Sequence, residues 1–237
     1  MVYKSKVVLI TTNTLHHQFL IKTINTNKKI ELIVFFIKER KKKIKNEFIK
    51  KEHSFEKKFF FDNKNYYIKN HCFYFDNVNS NKLFKKLKLI KPKMGILFGT
   101  KKVKKPLIEI FKKNLINIHR GIMEKYRGLD SEFWASYYKD YKNIGSTIHY
   151  VNLELDRGKI IYQKKLKLEK NMKSYQLKAL TTEIVSKKIN KVINKIVSNN
   201  ILTKKNQKIG NYFSAIDFLT KKKSIKNFDL YCKELKK

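Results

Sequence analysis

The chain has 237 residues, is 42% hydrophobic and carries a formal net charge of +37. That balance fits one large α/β domain with a short appendage, and two cysteines (Cys72 and Cys232) without a CxxC pair exclude a disulfide framework. The charge would ordinarily point to nucleic acid or an anionic membrane, but lysine vastly outnumbers arginine and is spread along the whole chain. It reads as solvated faces of a biased composition, a field that also favours a highly anionic small molecule; a polyanionic partner is the second reading. Near the N-terminus the apolar run covers only residues 7–10, too short for a signal peptide core or a membrane span, so a reducing cytoplasm is expected. His71 and Cys72 are adjacent, which does not make a metal site.

Residues 6–12 (KVVLITT) are β-branched and apolar and predict a buried strand; residues 16–24 predict a helix, and residues 30–37 (IELIVFFI) a second buried strand. Strand, helix and strand at this spacing form a βαβ unit, which calls for a parallel sheet with a right-handed crossover. Residues 38–80 read as a basic, helical excursion followed by a short edge strand or loop near residues 72–75. The aromatics Phe59, Phe60, Phe61, Tyr66 and Tyr67 read as core cover rather than a base-stacking platform. A short helix follows at 81–89, a third buried strand at 94–99 and a helix at 106–113 with Pro106 in its first turn. Residues 115–118 predict a fourth strand, which delivers Asn117 and His119 to its C-terminal end, where open α/β sheets bind ligands. A helix is expected at 130–138, capped by Asp130 or Ser131, then strands at 145–152 and 159–168. Residues 174–197 carry Leu177, Leu180, Ile184, Ile189, Val192, Ile193 and Ile196 at helical spacing, a stripe expected to pack into the core. Residues 1–200 thus form a catalytic domain, and 201–237 a small C-terminal extension. A dimer through the tail is open.

Six of the seven glycines, three of the four arginines and Trp134 fall between residues 95 and 158. In a chain so depleted of Gly and Arg, their persistence marks a window where backbone or chemistry needs them. Within it, Asn117 and His119 alternate across Ile118 and so share one side of an extended strand. Asp156 follows the 145–152 strand. If that strand lies beside 115–118, the aspartate can meet the imidazole and fix its tautomer, while the Asn117 amide donates to a developing oxyanion. The set suits attack of an amine on a carbonyl carbon. Alone, the three residues also fit a structural histidine and an unrelated aspartate.

Their surroundings decide between these. Asn117-Ile118-His119, Tyr126-Arg127-Gly128, Trp134-Ala135, the run 145–150 (GSTIHY) and Leu155-Asp156-Arg157-Gly158 keep order and spacing over roughly residues 94–168. Together they resemble the folate-dependent formyltransferases, a family that includes glycinamide ribonucleotide transformylase, methionyl-tRNA formyltransferase and the sugar N-formyltransferases. The resemblance implies a Rossmann-like, open and mostly parallel twisted sheet flanked by helices, and a 10-formyltetrahydrofolate co-substrate without a metal. It implies that Asn117 stabilises the tetrahedral oxyanion, that His119 acts as acid or base, and that Asp156 orients His119 and holds a proton-shuttling water. It maps the folate onto two loops: Phe98, Gly99, Thr100, Lys101, Lys102 and Val103, and Asn152, Leu153, Glu154 and Leu155. Acceptor contacts would come from Arg120, Gly121, Tyr126 and Arg127. Arg120 stands where the family has Pro or Gly; it either contacts an anionic part of the ligands or pairs with Glu124.

The turn Thr11-Thr12-Asn13-Thr14 lacks the glycines with which glycinamide ribonucleotide transformylase cradles a phosphate. The residues after the long helix are too few for the C-terminal β-domain of methionyl-tRNA formyltransferase. By elimination the expected acceptor is an amino sugar on a nucleotide carrier, with tRNA or glycinamide ribonucleotide behind it. The reading from another class is a non-catalytic basic nucleic-acid-binding protein on the same fold.

Overall fold

The computed structural model describes residues 4–38, 46–154, 156–200 and 210–236. Nine strands and seven α-helices are assigned among them: β1 (Ser5–Thr11), α1 (Leu15–Ile24), β2 (Ile30–Ile37), α2 (Glu47–Phe61), β3 (His71–Phe75), α3 (Asn81–Ile90), β4 (Met94–Phe98), α4 (Lys105–Phe111), β5 (Leu115–His119), β6 (Tyr126–Gly128), α5 (Ser131–Tyr137), β7 (Gly145–Tyr150), β8 (Ile160–Lys165), α6 (Leu177–Val197), β9 (Asn211–Phe213) and α7 (Phe218–Glu234). Seven strands form one sheet in the order β3-β2-β1-β4-β5-β7-β8. The first five run parallel, and β7 and β8 close the far edge antiparallel. This is the open, mostly parallel sheet the sequence predicts.

Alternation along the buried strands explains why they read as unbroken apolar runs. Val7 and Leu9 of β1 enter the layer under α1 and α6, with Val34, Phe36, Ile96 and Phe98. Val8 and Ile10 face the opposite layer, with Phe35, Leu83, Leu87, Leu97 and Leu107 of β2, α3, β4 and α4. Both faces are covered, so successive residues such as 7–10 and 32–36 are apolar and leave water whichever face they take. The stripe on α6 is core as expected, although Leu180 is only partly buried. Phe60 and Phe61 of α2 are buried against Ala179, with Phe19 and Phe55 beside them, while Phe59 and Tyr67 remain exposed.

Two local expectations change. Neither Asp130 nor Ser131 caps α5: Asp130 is left-handed (φ 52°), and its carboxylate accepts from the Ile216 amide at 3.1 Å. Ser131 turns inward instead and donates from Oγ to the Tyr126 carbonyl at 3.3 Å.

The C-terminal segment is also no loose appendage. Strand β9 pairs parallel with β6 as a second, two-stranded sheet. Arg127 Nε donates to the Gly210 carbonyl at 2.7 Å and Trp134 Nε1 to the Ser214 carbonyl at 2.9 Å. Helix α7 sinks Phe228 and Cys232, both fully buried, among Tyr126, Ala135, Tyr141, Ile144 and Leu177. Helical spacing alone did not show this, because the outer face of α7 keeps Phe218 and Leu219 in solvent and blurs its apolar stripe. The expected boundary near residue 200 falls in a stretch, 201–209, outside the described residues.

Candidate active site

Strand β7 lies beside β5, and their register sets Asn117 opposite His149 and His119 opposite Thr147. Directly opposed side chains on one face of an antiparallel pair are close enough to touch. Asn117 Nδ2 stands 3.0 Å from His149 Nε2 and donates to Asp156 Oδ1 at 3.2 Å; His149 Nε2 is 3.4 Å from the same oxygen. The three side chains therefore close a triangle. The other carboxylate oxygen, Asp156 Oδ2, accepts from the Gly128 amide at 2.9 Å and lies 3.6 Å from His119 Nδ1. One buried aspartate thus joins both histidines, the asparagine and a backbone amide.

Burial by itself would push the Asp156 carboxyl up. The charges and hydrogen bonds of His119, His149 and the Gly128 amide outweigh it and hold the group well below the ordinary carboxylate range. Asp156 is accordingly an anion at neutral pH. Its backbone is left-handed (φ 50°), a conformation an aspartate tolerates better than most residues. Gly158 makes the turn possible, because a Cβ there would sit 1.5 Å from the Tyr150 carbonyl oxygen.

The two histidines are held by their far nitrogens. His119 Nε2 donates to the Tyr126 carbonyl at 2.8 Å, which leaves Nδ1 as the nitrogen facing Asp156. A proton taken up at Nδ1 would be stabilised by that anion. His149 Nδ1 donates to the Tyr150 carbonyl at 2.8 Å, so Nε2 is the nitrogen that meets the Asn117 amide and the Asp156 carboxylate. His149 was not singled out from the sequence, although it sits inside the quoted run 145–150. The available signal was its place two residues after Thr147, on the face of β7 that pairs with Asn117. Gly128 was quoted without a role; here its amide supports the carboxylate.

A cleft opens directly on Asn117, His149 and Asp156. Its walls are Leu97, Thr100, Lys101, Lys102 and Val103 on one side and Val151, Asn152, Leu153 and Glu154 on the other. Of the residues expected in these two loops, Phe98 and Gly99 are not in the wall. Strand β4 alternates, so Leu97 faces the cleft while Phe98 packs edge-on against His17 on the other face, and His17 lies against Gly99. Leu155 lies outside the described residues.

The expected acceptor residues divide. Tyr126 is buried: its hydroxyl donates to Asp140 Oδ2 at 3.1 Å and its carbonyl serves His119. Arg127 is buried against the tail at Gly210, and a Cβ on Gly121 would sit 2.4 Å from His119 Nε2. Tyr126 and Arg127 therefore act within the protein rather than facing open space. Arg120 is partly exposed and stands 3.9 Å from Glu132, not beside Glu124, whose carboxylate accepts from Gln163 Nε2 at 3.3 Å. The Arg120 Nη1 group is buried without a hydrogen-bond partner.

Around the β1 turn, Thr11 Oγ1 donates to the Phe98 carbonyl at 2.9 Å and Thr12 Oγ1 meets His17 Nδ1 at 2.7 Å. The hydroxyls of Thr11 and Thr12 are thus taken up internally, as a turn that does not cradle a phosphate would allow. His16 stands 3.0 Å from Glu56. Burial and then the neighbouring positive charges hold His16 neutral, and burial raises Glu56.

Comparison with known proteins accords with this geometry. The Formyl transferase family profile matches residues 4–193, and the chain belongs to that family. Methionyl-tRNA formyltransferase of Borrelia garinii subsp. bavariensis is 29% identical over 117 residues, 49% of this chain and 37% of that protein. The chain thus matches little more than a third of that relative's length. Among solved structures, a 4-N formyltransferase from Francisella tularensis superposes with a TM-score of 0.63 at 20% identity, covering 93% of this chain and 86% of that one. A formyltransferase from Anoxybacillus kamchatkensis, in complex with UDP-4,6-dideoxy-4-formamido-L-AltNAc and tetrahydrofolate, superposes with a TM-score of 0.55 at 18% identity, covering 89% and 86%. Both structures share the fold. No helix among the described residues is long and apolar enough to cross a membrane.

Proposed function

We propose that the chain moves a formyl group from 10-formyltetrahydrofolate to a primary amine, and that the amine belongs to an amino sugar on a nucleotide carrier. The observation that carries the reading is the Asp156 carboxylate, held between Asn117, His149, the Gly128 amide and His119 at the mouth of a two-loop cleft. In this reading the cleft takes the folate, with its formyl carbon beside Asn117. The neutral amine of the acceptor attacks that carbon, and a tetrahedral oxyanion forms. The Asn117 amide donates to it, exchanging one of its internal partners for the new charge. The proton shed by the attacking nitrogen passes to the His119 and Asp156 pair, whose anion stabilises the imidazolium. That imidazolium gives the proton on to folate N10 as its bond to the formyl carbon breaks, so charge balances and tetrahydrofolate leaves. Positioning of the two reactants supplies much of the acceleration.

The acceptor reading is supported by the Francisella tularensis and Anoxybacillus kamchatkensis likenesses, the second of which carries a nucleotide-linked formamido sugar. It is supported too by the β1 turn, whose Thr11 and Thr12 hydroxyls are engaged internally. The likeness to methionyl-tRNA formyltransferase, with the charge of +37, makes tRNA the second acceptor.

The test is calorimetric titration of 5-formyltetrahydrofolate, followed by turnover with nucleotide-linked amino sugars, for wild type, Asn117→Ala and Asp156→Asn. Wild type should bind the folate saturably and turn over, and both variants should stay folded and lose turnover by about 100-fold or more. Normal turnover in both variants would sink the catalytic assignment.

A further inference from the structure

We propose that the cleft between the first turn of α2, residues 173–175 and α7 binds the nucleoside diphosphate of the acceptor; this rests on the amino-sugar reading above. The cleft has a volume of about 750 Å³, within the usual range for small-molecule sites. Its aromatic members are Phe48, Tyr175 and Phe218, and Phe218 is 69% exposed. Its charge is one-sided. Both carboxylates in the wall are engaged: Glu47 lies 3.7 Å from Lys51, and Asp229 accepts from the Ser174 amide at 2.7 Å. Lys173, Lys221 and Lys222 line the same space, and among the described residues none of them has a carboxylate partner. Lys221 is fixed over two rings, 4.3 Å from the Phe133 centroid and 5.3 Å from that of Phe48.

An independent observation points to a missing ligand. Ser174, 2% exposed, lies in the cleft wall, and its Oγ has no hydrogen-bond partner. Buried hydroxyls are normally satisfied, and a phosphate or sugar oxygen would satisfy this one. Three ammonium groups, an unmatched hydroxyl and flat aromatic faces around one cleft suit a diphosphate joined to a base.

The cleft is connected to the reacting groups through α5. On α5, Phe133, which touches Phe48 and Lys221, is two residues from Ser131, whose Oγ lies 3.3 Å from His119 Nε2. Arg120, next in sequence to His119, has its Nη1 3.9 Å from Glu132 and without a hydrogen bond.

The experiment is calorimetry on the full chain with UDP and with dTDP, and separately with 5-formyltetrahydrofolate. The proteins are wild type, Phe218→Ala, the double variant Lys221→Ala/Lys222→Ala, and Lys82→Ala/Lys85→Ala as a charge-matched change on α3. Wild type should bind a nucleoside diphosphate. Phe218→Ala and the α7 double variant should weaken that binding at least tenfold, leaving the α3 variant and folate affinity unchanged. No nucleotide binding by a protein that binds the folate would overturn the cleft and leave formyl transfer standing. Nucleotide affinity unmoved by both cleft variants would place the nucleotide elsewhere and overturn it too. An RNA oligonucleotide that binds in preference, and is lost in the same variants, would give the cleft a different occupant and refute the proposal. Failure to bind folate at all would remove the parent reading and this one together.

Discussion

Gly128 connects the tail to the reacting carboxylate, and replacing it with alanine should damage both. The residue has φ 97°, which L side chains rarely adopt, and an added Cβ would stand 2.1 Å from the Phe213 carbonyl oxygen. Strain of about 1–3 kcal/mol follows from the dihedral alone. Moving the Phe213 carbonyl away also breaks its 3.0 Å bond from the Leu129 amide, worth about 1 kcal/mol. Gly128→Ala should therefore cost roughly 2–4 kcal/mol, and for a domain of this size lower the melting temperature by roughly 4–16 °C. The Gly128 amide also bonds the Asp156 anion at 2.9 Å, and a hydrogen bond to a charged group contributes about 1.5–3 kcal/mol. Loss of that bond should lower kcat by about 10- to 100-fold in the folded fraction. Thermal melts and single-turnover formyl transfer measure the two effects. Leu129→Ala, at an exposed side chain, serves as the control. A Gly128→Ala protein that melts with wild type and turns over normally would refute both the brace and the role given to the amide.

Phe228→Ala should destabilise the protein by about 3–5 kcal/mol, read from urea midpoints, because the ring is fully buried in the cluster that joins α7 to the domain; a change under about 1 kcal/mol would mean that the tail docks only loosely. His17 is held neutral in the fold, its value lowered first by burial and then by His16, Arg120 and Lys178. The unfolded chain therefore binds the extra proton, so the stability tied to this residue is complete well above pH 6.5 and is lost as pH falls below it, by up to about 1.4 kcal/mol per pH unit. Comparing urea midpoints at pH 8 and pH 5.5, His17→Gln should show a flatter pH dependence than wild type; an identical slope would show that His17 is not buried neutral.

Much of this protein is determined along the chain itself. Residues 32–37 are apolar at every position because both faces of the strand are covered, and β2 spans the whole expected run, Ile30–Ile37, with Glu31 only partly buried near its start. Asn117 and His119 share a face because strand side chains alternate, and the retention of Gly and Arg in a lysine-rich chain marks the window where the backbone passes closest to the chemistry. What only the tertiary structure decided depends on which elements become neighbours. His149 joins the site because the register of β7 on β5 sets it opposite Asn117. Phe98 leaves the cleft because the alternation of β4 gives that face to Leu97. Arg120 meets Glu132 rather than Glu124 because packing brings the first turn of α5 to within 3.9 Å of it, while Glu124 accepts from Gln163. The tail becomes part of the site through β9, whose pairing with β6 brings the Phe213 carbonyl against Gly128. Periodicity reports which side a residue faces; contacts between distant segments depend on register and packing, which arise only when the chain has folded.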